Sequence, residues 1–154
     1  MLSYELDLLE MGCLIHDIGK ISVPTDILNR SGPLSTAEFE IIKTHPKIGF
    51  DIVQAIEFPP EINEMILQHH EKLDGSGYPN GLSGEEISKY SRILTVADIV
   101  DAIISNRPYR PALNIDIALS ELTKNRGKYY DPIVVDACFT YFLEQFPNKN
   151  AYKS

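Results

Sequence analysis

The chain has four histidines, His16, His45, His69 and His70, and each adjoins a residue or a break in regularity that needs a reason. His16 is followed directly by Asp17, and Gly19 and Lys20 come next. His69 and His70 are adjacent, at the end of an apolar periodic segment and just before a glycine-rich stretch. Asp98 falls inside the run Ile93-Leu94-Thr95-Val96-Ala97-Asp98-Ile99-Val100, where an ionised carboxylate is costly unless it is paired or bound to a cation. Neighbouring helical residues diverge by about 100°, so His16 and Asp17 share one cluster only over a helix end or around more than one ion. A carboxylate in that place could bridge two metals. A plainer reading stands beside this one. A single histidine near a helix end is more often a cap or a satisfied core residue, Asp17 can open the turn at Gly19, and Asp98 can pair with Arg92, Arg107 or Lys89. In favour of a cluster, no histidine is left over for a scattered surface role, and two of the four adjoin a second candidate ligand.

The elements that must carry these groups are helical. Apolar residues recur at helical spacing, and two-residue alternation never persists. The pattern predicts a helix over 3–18 that stops at Gly19, a loop from Ser22 to Pro33, and a helix opened by the capping pair Ser35 and Glu38. His45-Pro46 interrupts that helix, and a new turn starts at Pro46 and runs towards Ile56. Pro59-Pro60 opens a helix to His70, and residues 71–84 hold too many glycines for a regular element. Helices follow over 87–105, 115–126 and 132–146, the last with Asp131 as N-cap and Pro132 as first residue. The expected architecture is all-α, a helical bundle over residues 1–147 with a C-terminal tail at 148–154.

Composition narrows the function. At 154 residues, with 44% hydrophobic and 23% charged residues, the chain suits one domain with a real core. A net charge of −8 argues against a broad DNA-binding or anionic-membrane surface, so a phosphate-bearing ligand needs a local source of positive charge. No apolar run reaches the ~18 residues of a membrane span, and the start lacks the regions of a signal peptide, so a cytoplasmic location is expected. Cys13 and Cys138 form no CxxC pair and are expected to be reduced, buried thiols.

Four ordered blocks, HDIGK at 16–20, HPKIG at 45–49, HHEKLDGSGYP at 69–79 and LTVADIVDAIISNRPYR at 94–110, closely resemble the HD-GYP family. This is the branch of the HD phosphohydrolases that hydrolyses the bacterial second messenger cyclic di-GMP in signal transduction. The resemblance runs from about residue 5 to 146. It implies an HD-domain bundle binding two divalent metals. His16, Asp17 and Asp98 would serve one ion, with Asp17 bridging to a second held by His45, His69 and His70. Iron or manganese is the family's common choice; imidazole and carboxylate without thiolate suit zinc or nickel as well. Lys20, Tyr78, Arg107 and Arg110 match positions used for the ligand's phosphates and bases, and supply the local positive charge. The implied reaction is phosphodiester hydrolysis by a metal-activated water, with Asp17 and Lys20 as catalytic residues.

One part of the family pattern is not matched. The family's domain begins with an earlier helix that carries a metal-binding histidine and often a glutamate, whereas only fifteen residues precede His16 here, none of them histidine. The expectation is therefore a fragment of a longer protein, joined elsewhere to a receiver, sensor or GGDEF-type domain and compatible with a homodimer. Two alternatives remain: a metal phosphohydrolase acting on another cyclic dinucleotide or nucleotide, and a non-catalytic module that binds a dinucleotide or a partner.

Overall fold

The expected helices form along most of the chain. The computed structural model describes residues 3–105 and 113–145, and among these residues there are eight α-helices, two 3₁₀ turns and no extended strand. The α-helices are α1 (Ser3–Ile15), α2 (Thr25–Leu28), α3 (Thr36–Ile42), α4 (His45–Val53), α5 (Pro60–Gln68), α6 (Lys89–Ile104), α7 (Ile115–Asn125) and α8 (Pro132–Gln145). The 3₁₀ turns cover Ile18–Ser22 and Gly84–Glu86.

Caps read from residue type hold. Ser35 accepts from the Glu38 N–H while the Glu38 carboxylate accepts from the Ser35 N–H, satisfying two donors that the helix start leaves free. Asp131 accepts from the Ile133 N–H at 2.8 Å, just ahead of Pro132. Three boundaries differ from expectation. α1 ends at Ile15 rather than 18, because the chain tightens into the 3₁₀ turn that lies along α4. The segment 22–33 holds α2, where Pro24, with φ of −54°, starts a helical turn instead of excluding one. α4 begins at His45 itself, with Pro46 in its first turn, where the absent N–H costs nothing.

α5 and α6 are the centre of the bundle. One apolar cluster joins Leu8 of α1, Val53 of α4, Ile62, Met65 and Ile66 of α5, and Leu94 of α6. A second joins Val96 and Val100 of α6 to Ala118, Leu122, Tyr130 and Val135. Each fully buried aliphatic side chain contributes about 1.5–3 kcal/mol relative to exposure, so α6, which faces both clusters, ties the two halves together. Thr95 adds a polar tie. Its buried hydroxyl lies 2.9 Å from the His69 carbonyl and 2.8 Å from the Ser91 carbonyl, pinning the end of α5 to α6.

α1 rests on α5 and α6 along one face only. Tyr4, Leu6, Met11 and Leu14 project outwards, as does Cys13, which is exposed rather than buried. The expectation of two buried thiols fails at Cys13 because it lies five residues after buried Leu8, well round the helix from it. Cys138 is half-buried beside the second cluster. No helix among the described residues is long and apolar enough to cross a membrane.

Candidate metal centre

The histidines are delivered by helix ends. His16 and Asp17 follow α1, His45 opens α4, His69 and His70 follow α5, and Asp98 lies midway along α6. The ends meet because the backbones approach closely. A Cβ on Gly19 would lie 2.0 Å from the His45 carbonyl oxygen and 2.6 Å from the Gly49 nitrogen. Glycine is therefore needed at 19 for space, to let the turn bearing Asp17 sit against the start of α4.

Hydrogen bonds set the tautomers. His16 Nδ1 lies 2.8 Å from the Cys13 carbonyl, His45 Nδ1 2.7 Å from that of Ile42, and His69 Nδ1 2.8 Å from that of Ile66. A carbonyl oxygen only accepts, so each Nδ1 carries a proton, and the neutral form of each ring has its lone pair on Nε2. These lone pairs converge. His45 Nε2 and His69 Nε2 are 3.2 Å apart, and Asp17 Oδ1 lies 3.3 Å from the first and 3.9 Å from the second. The other carboxylate oxygen, Oδ2, is 3.5 Å from His16 Nε2, and Asp98 Oδ1 approaches the same nitrogen at 3.8 Å. His16 Nε2 and Asp17 Oδ1 are buried without a hydrogen-bond partner. Acceptors thus face acceptors in a site where His45 and His69 are 0% and 1% exposed. One proton would satisfy a single pair; a cation satisfies the whole set.

Two trios have donor atoms close enough to share an ion: His45, His69 and His70, and His16, Asp17 and His69. All six expected ligands lie in this one cluster, with Asp98 reaching it through His16. Of the cations suggested for Asp98, the two that are described pair elsewhere. Arg92 goes to Asp131 at 3.0 Å and Glu85 at 3.3 Å, and Lys89 goes to Glu5 at 2.5 Å. The third suggested cation, Arg107, lies outside the described residues, as does Arg110.

Electrostatics keep His69 and His70 neutral and ready to ligate. Burial, reinforced by neighbouring His16 and His45, pulls the His69 pKa down to about 4. Burial with His69 and His45 pulls His70 to about 2. Burial alone would raise Asp17 and Asp98; contacts with His45 and Lys20 outweigh it at Asp17, and His16 does so at Asp98, so both carboxyls stay below their ordinary range. His16 moves up, because Asp98 and Asp17 outweigh the effect of burial. Lys20 Nζ sits 2.6 Å from Asp17 Oδ2, beside the centre.

The glycine-rich segment is ordered around a residue the sequence reading did not single out. Glu71 is 1% exposed, and its carboxylate accepts from the Asn80 N–H at 2.7 Å and the Leu82 N–H at 3.0 Å, folding the loop back over α5. A Cβ on Gly77 would meet the Glu71 Cα at 2.4 Å, so the loop closes without a side chain there. The Tyr78 N–H donates to the His70 carbonyl, and the Tyr78 ring stacks on the His70 imidazole with centroids 4.7 Å apart. The Tyr78–Pro79 peptide is cis. The available signal for Glu71 was its place beside His70 at the head of a breaker-rich run, since such a run needs an anchor for its free N–H groups.

A profile of the HD domain matches residues 5–134. Over 135 residues the chain is 42% identical to the cyclic di-GMP phosphodiesterase response regulator RpfG of Xanthomonas campestris pv. campestris, covering 86% of this chain and 36% of that protein. It is 42% identical over 124 residues to the 3'3'-cGAMP-specific phosphodiesterase 3 of Vibrio cholerae, covering 80% of this chain and 27% of that one. The chain therefore spans about a third of the length of the curated relatives it matches. Bd1817, an HDG"Y"P protein from Bdellovibrio bacteriovorus, shares the fold with a TM-score of 0.71 at 22% identity, covering 86% of this chain and 42% of that one. The chain belongs to the HD domain family, in its HD-GYP branch.

Proposed function

We propose that this chain is the hydrolytic domain of a metal-dependent phosphodiesterase whose substrate is cyclic di-GMP. The observation that carries the reading is the set of buried acceptors, His16 Nε2, His45 Nε2, His69 Nε2 and Asp17 Oδ1, which converge without a donor among them. Two divalent ions, iron or manganese in the first instance, fit this set. Asp17, which turns one oxygen to each side of the cluster, would hold an ion on either side. His16 and Asp98 would help to hold the ion on one side, and His45, His69 and His70 the ion on the other. When bound, such ions supply Lewis acidity at the phosphoryl oxygens and a reactive water at neutral pH.

The chain's own residues do the rest. The Nδ1 bonds to backbone carbonyls hold three imidazoles in the ligating tautomer and in fixed orientation. Lys20, whose charge lies at the carboxylate of Asp17, supplies positive charge beside the diester in a chain that is otherwise acidic. Tyr78 covers His70 and bounds the site on the side of the glycine-rich loop. Arg107 and Arg110 are assigned to substrate phosphates and bases on the strength of the motif they belong to.

A second substrate, 3'3'-cGAMP, is favoured by the Vibrio cholerae relative named for it. Regulation through a receiver domain is favoured by the relative named as a response regulator. The test measures bound metal and hydrolysis of both dinucleotides, using this chain and a version extended by any native upstream sequence. Metal-dependent hydrolysis that chelation abolishes and metal restores is expected. Bound metal with no hydrolysis of either dinucleotide by either version would refute the reading in favour of a binding module.

A further inference from the structure

Phe39 and Lys43 lie one turn apart on and just after α3, outside both apolar clusters and outside the metal cluster. Phe39 is 43% exposed, although its ring edge meets the Tyr78 ring at 6.4 Å between centroids, nearly perpendicular at 81°. Tyr78 in turn stacks on His70. An aromatic series therefore leads outwards from the metal-ligating cluster, from His70 to Tyr78 to Phe39, and its last ring is open to solvent. Lys43 Nζ lies 5.1 Å from the Phe39 centroid and 5.8 Å from that of Tyr78, within cation–π range of both, and its charge is shared with Glu40 at 2.7 Å.

An exposed phenylalanine taken alone is unremarkable on a protein surface. This one is the outermost of three rings that begin at the metal-ligating cluster, and it has a cation beside it in a chain of net charge −8. A purine base has a π-face that stacks on aromatic rings, and electron-rich edge atoms that accept from an ammonium group. A diester held at the metal cluster projects its nucleoside portions away from the ions. Resting on the cyclic dinucleotide reading above, we infer that Phe39 and Lys43 form a base subsite: Phe39 stacks against one purine of the substrate, and Lys43 turns from Glu40 to that base's carbonyl or ring nitrogen. The subsite would set preference among cyclic dinucleotides by stacking area and by the acceptor pattern of the base, while the metal cluster sets the reaction.

The chain contains no tryptophan, so F39W introduces a single indole at the subsite. Metal-loaded F39W, mixed rapidly with cyclic di-GMP before turnover, should show saturable quenching of its indole emission. Phe39→Ala should raise KM for cyclic di-GMP by about tenfold or more with its metal content intact, and F39W or Phe39→Tyr should restore KM. Lys43→Met should raise KM by a smaller factor and alter the ratio of KM values for cyclic di-GMP and 3'3'-cGAMP. Hydrolysis by the wild type together with absent quenching in F39W and an unchanged KM in Phe39→Ala would overturn the subsite and leave the catalytic reading standing. Quenching without hydrolysis would support the subsite and count against catalysis. Absence of both quenching and hydrolysis would overturn the two together.

Discussion

Gly19→Ala tests the geometry most directly, because it alters no ligand and no charge. The added methyl group would lie 2.0 Å from the His45 carbonyl oxygen, 2.6 Å from the Gly49 nitrogen and 2.9 Å from the His45 carbonyl carbon, all of them backbone atoms. Cβ contacts under 3.0 Å essentially never occur, so the turn and α4 must separate by at least 1.0 Å at this point. Overpacking of this kind costs about 1–3 kcal/mol, or a melting-temperature drop on the order of 3–10 °C for a chain of this size. The larger effect falls on the metal centre. Asp17 rides on one side of the wedge and His45 on the other, and their atoms are 3.3 Å apart. A displacement of about 1 Å between ligands should lower metal affinity by at least the ~10–100-fold typical of disturbed ligand support. Metal titration by calorimetry, paired with thermal melts in the presence and absence of Mn²⁺, reads both quantities. Wild-type affinity together with a wild-type melting temperature would refute the claim that this backbone contact positions the cluster.

Further outcomes follow from the same geometry. Asp17→Ala should strip metal from both sides of the cluster, with affinity falling by more than about 100-fold; full occupancy by elemental analysis would exclude a bridging carboxylate. Glu71→Gln replaces a buried acceptor of two backbone N–H groups with an amide that brings its own donors. It should cost about 1.5–3 kcal/mol and release Tyr78 from His70, seen as faster proteolysis or hydrogen exchange across residues 71–84; unchanged protection would reject the clasp. For the metal-free protein, His69 and His70 titrate below their unfolded value of about 6.5, so between there and about pH 4 the unfolded chain binds more protons. Stability should therefore fall on acidification through that window, by up to about 1.4 kcal/mol per pH unit for each ring. His16, shifted upwards, contributes fully below about pH 6.5 and loses its contribution as pH rises through its folded value. A melting temperature that stays flat or rises from about pH 7 to about pH 5 would contradict the buried neutral rings.

Much of this protein is legible one residue at a time. Helical periodicity, the Ser35–Glu38 capping pair and the Asp131-Pro132 start depend on neighbours within a turn, and all three hold. The six candidate ligands were also visible, because histidines beside breaks and a carboxylate in an apolar run are local anomalies. Other features required the fold, since they depend on atoms far apart in the chain. The role of Gly19 as a spacer against His45, rather than the end of a helix, follows only once α4 packs on the turn. Cys13 is exposed because no described element covers the outer face of α1, something its own residue type does not report. Glu71 gains its two N–H partners, and Phe39 its place beside Tyr78, through contacts between segments nine to thirty-nine residues apart. Residue types and spacing thus determined which groups were available and which helices would carry them. Close backbone approach decided which atoms face one another, because a lone pair becomes a ligand only when packing aims it at others and excludes the water that would otherwise satisfy it.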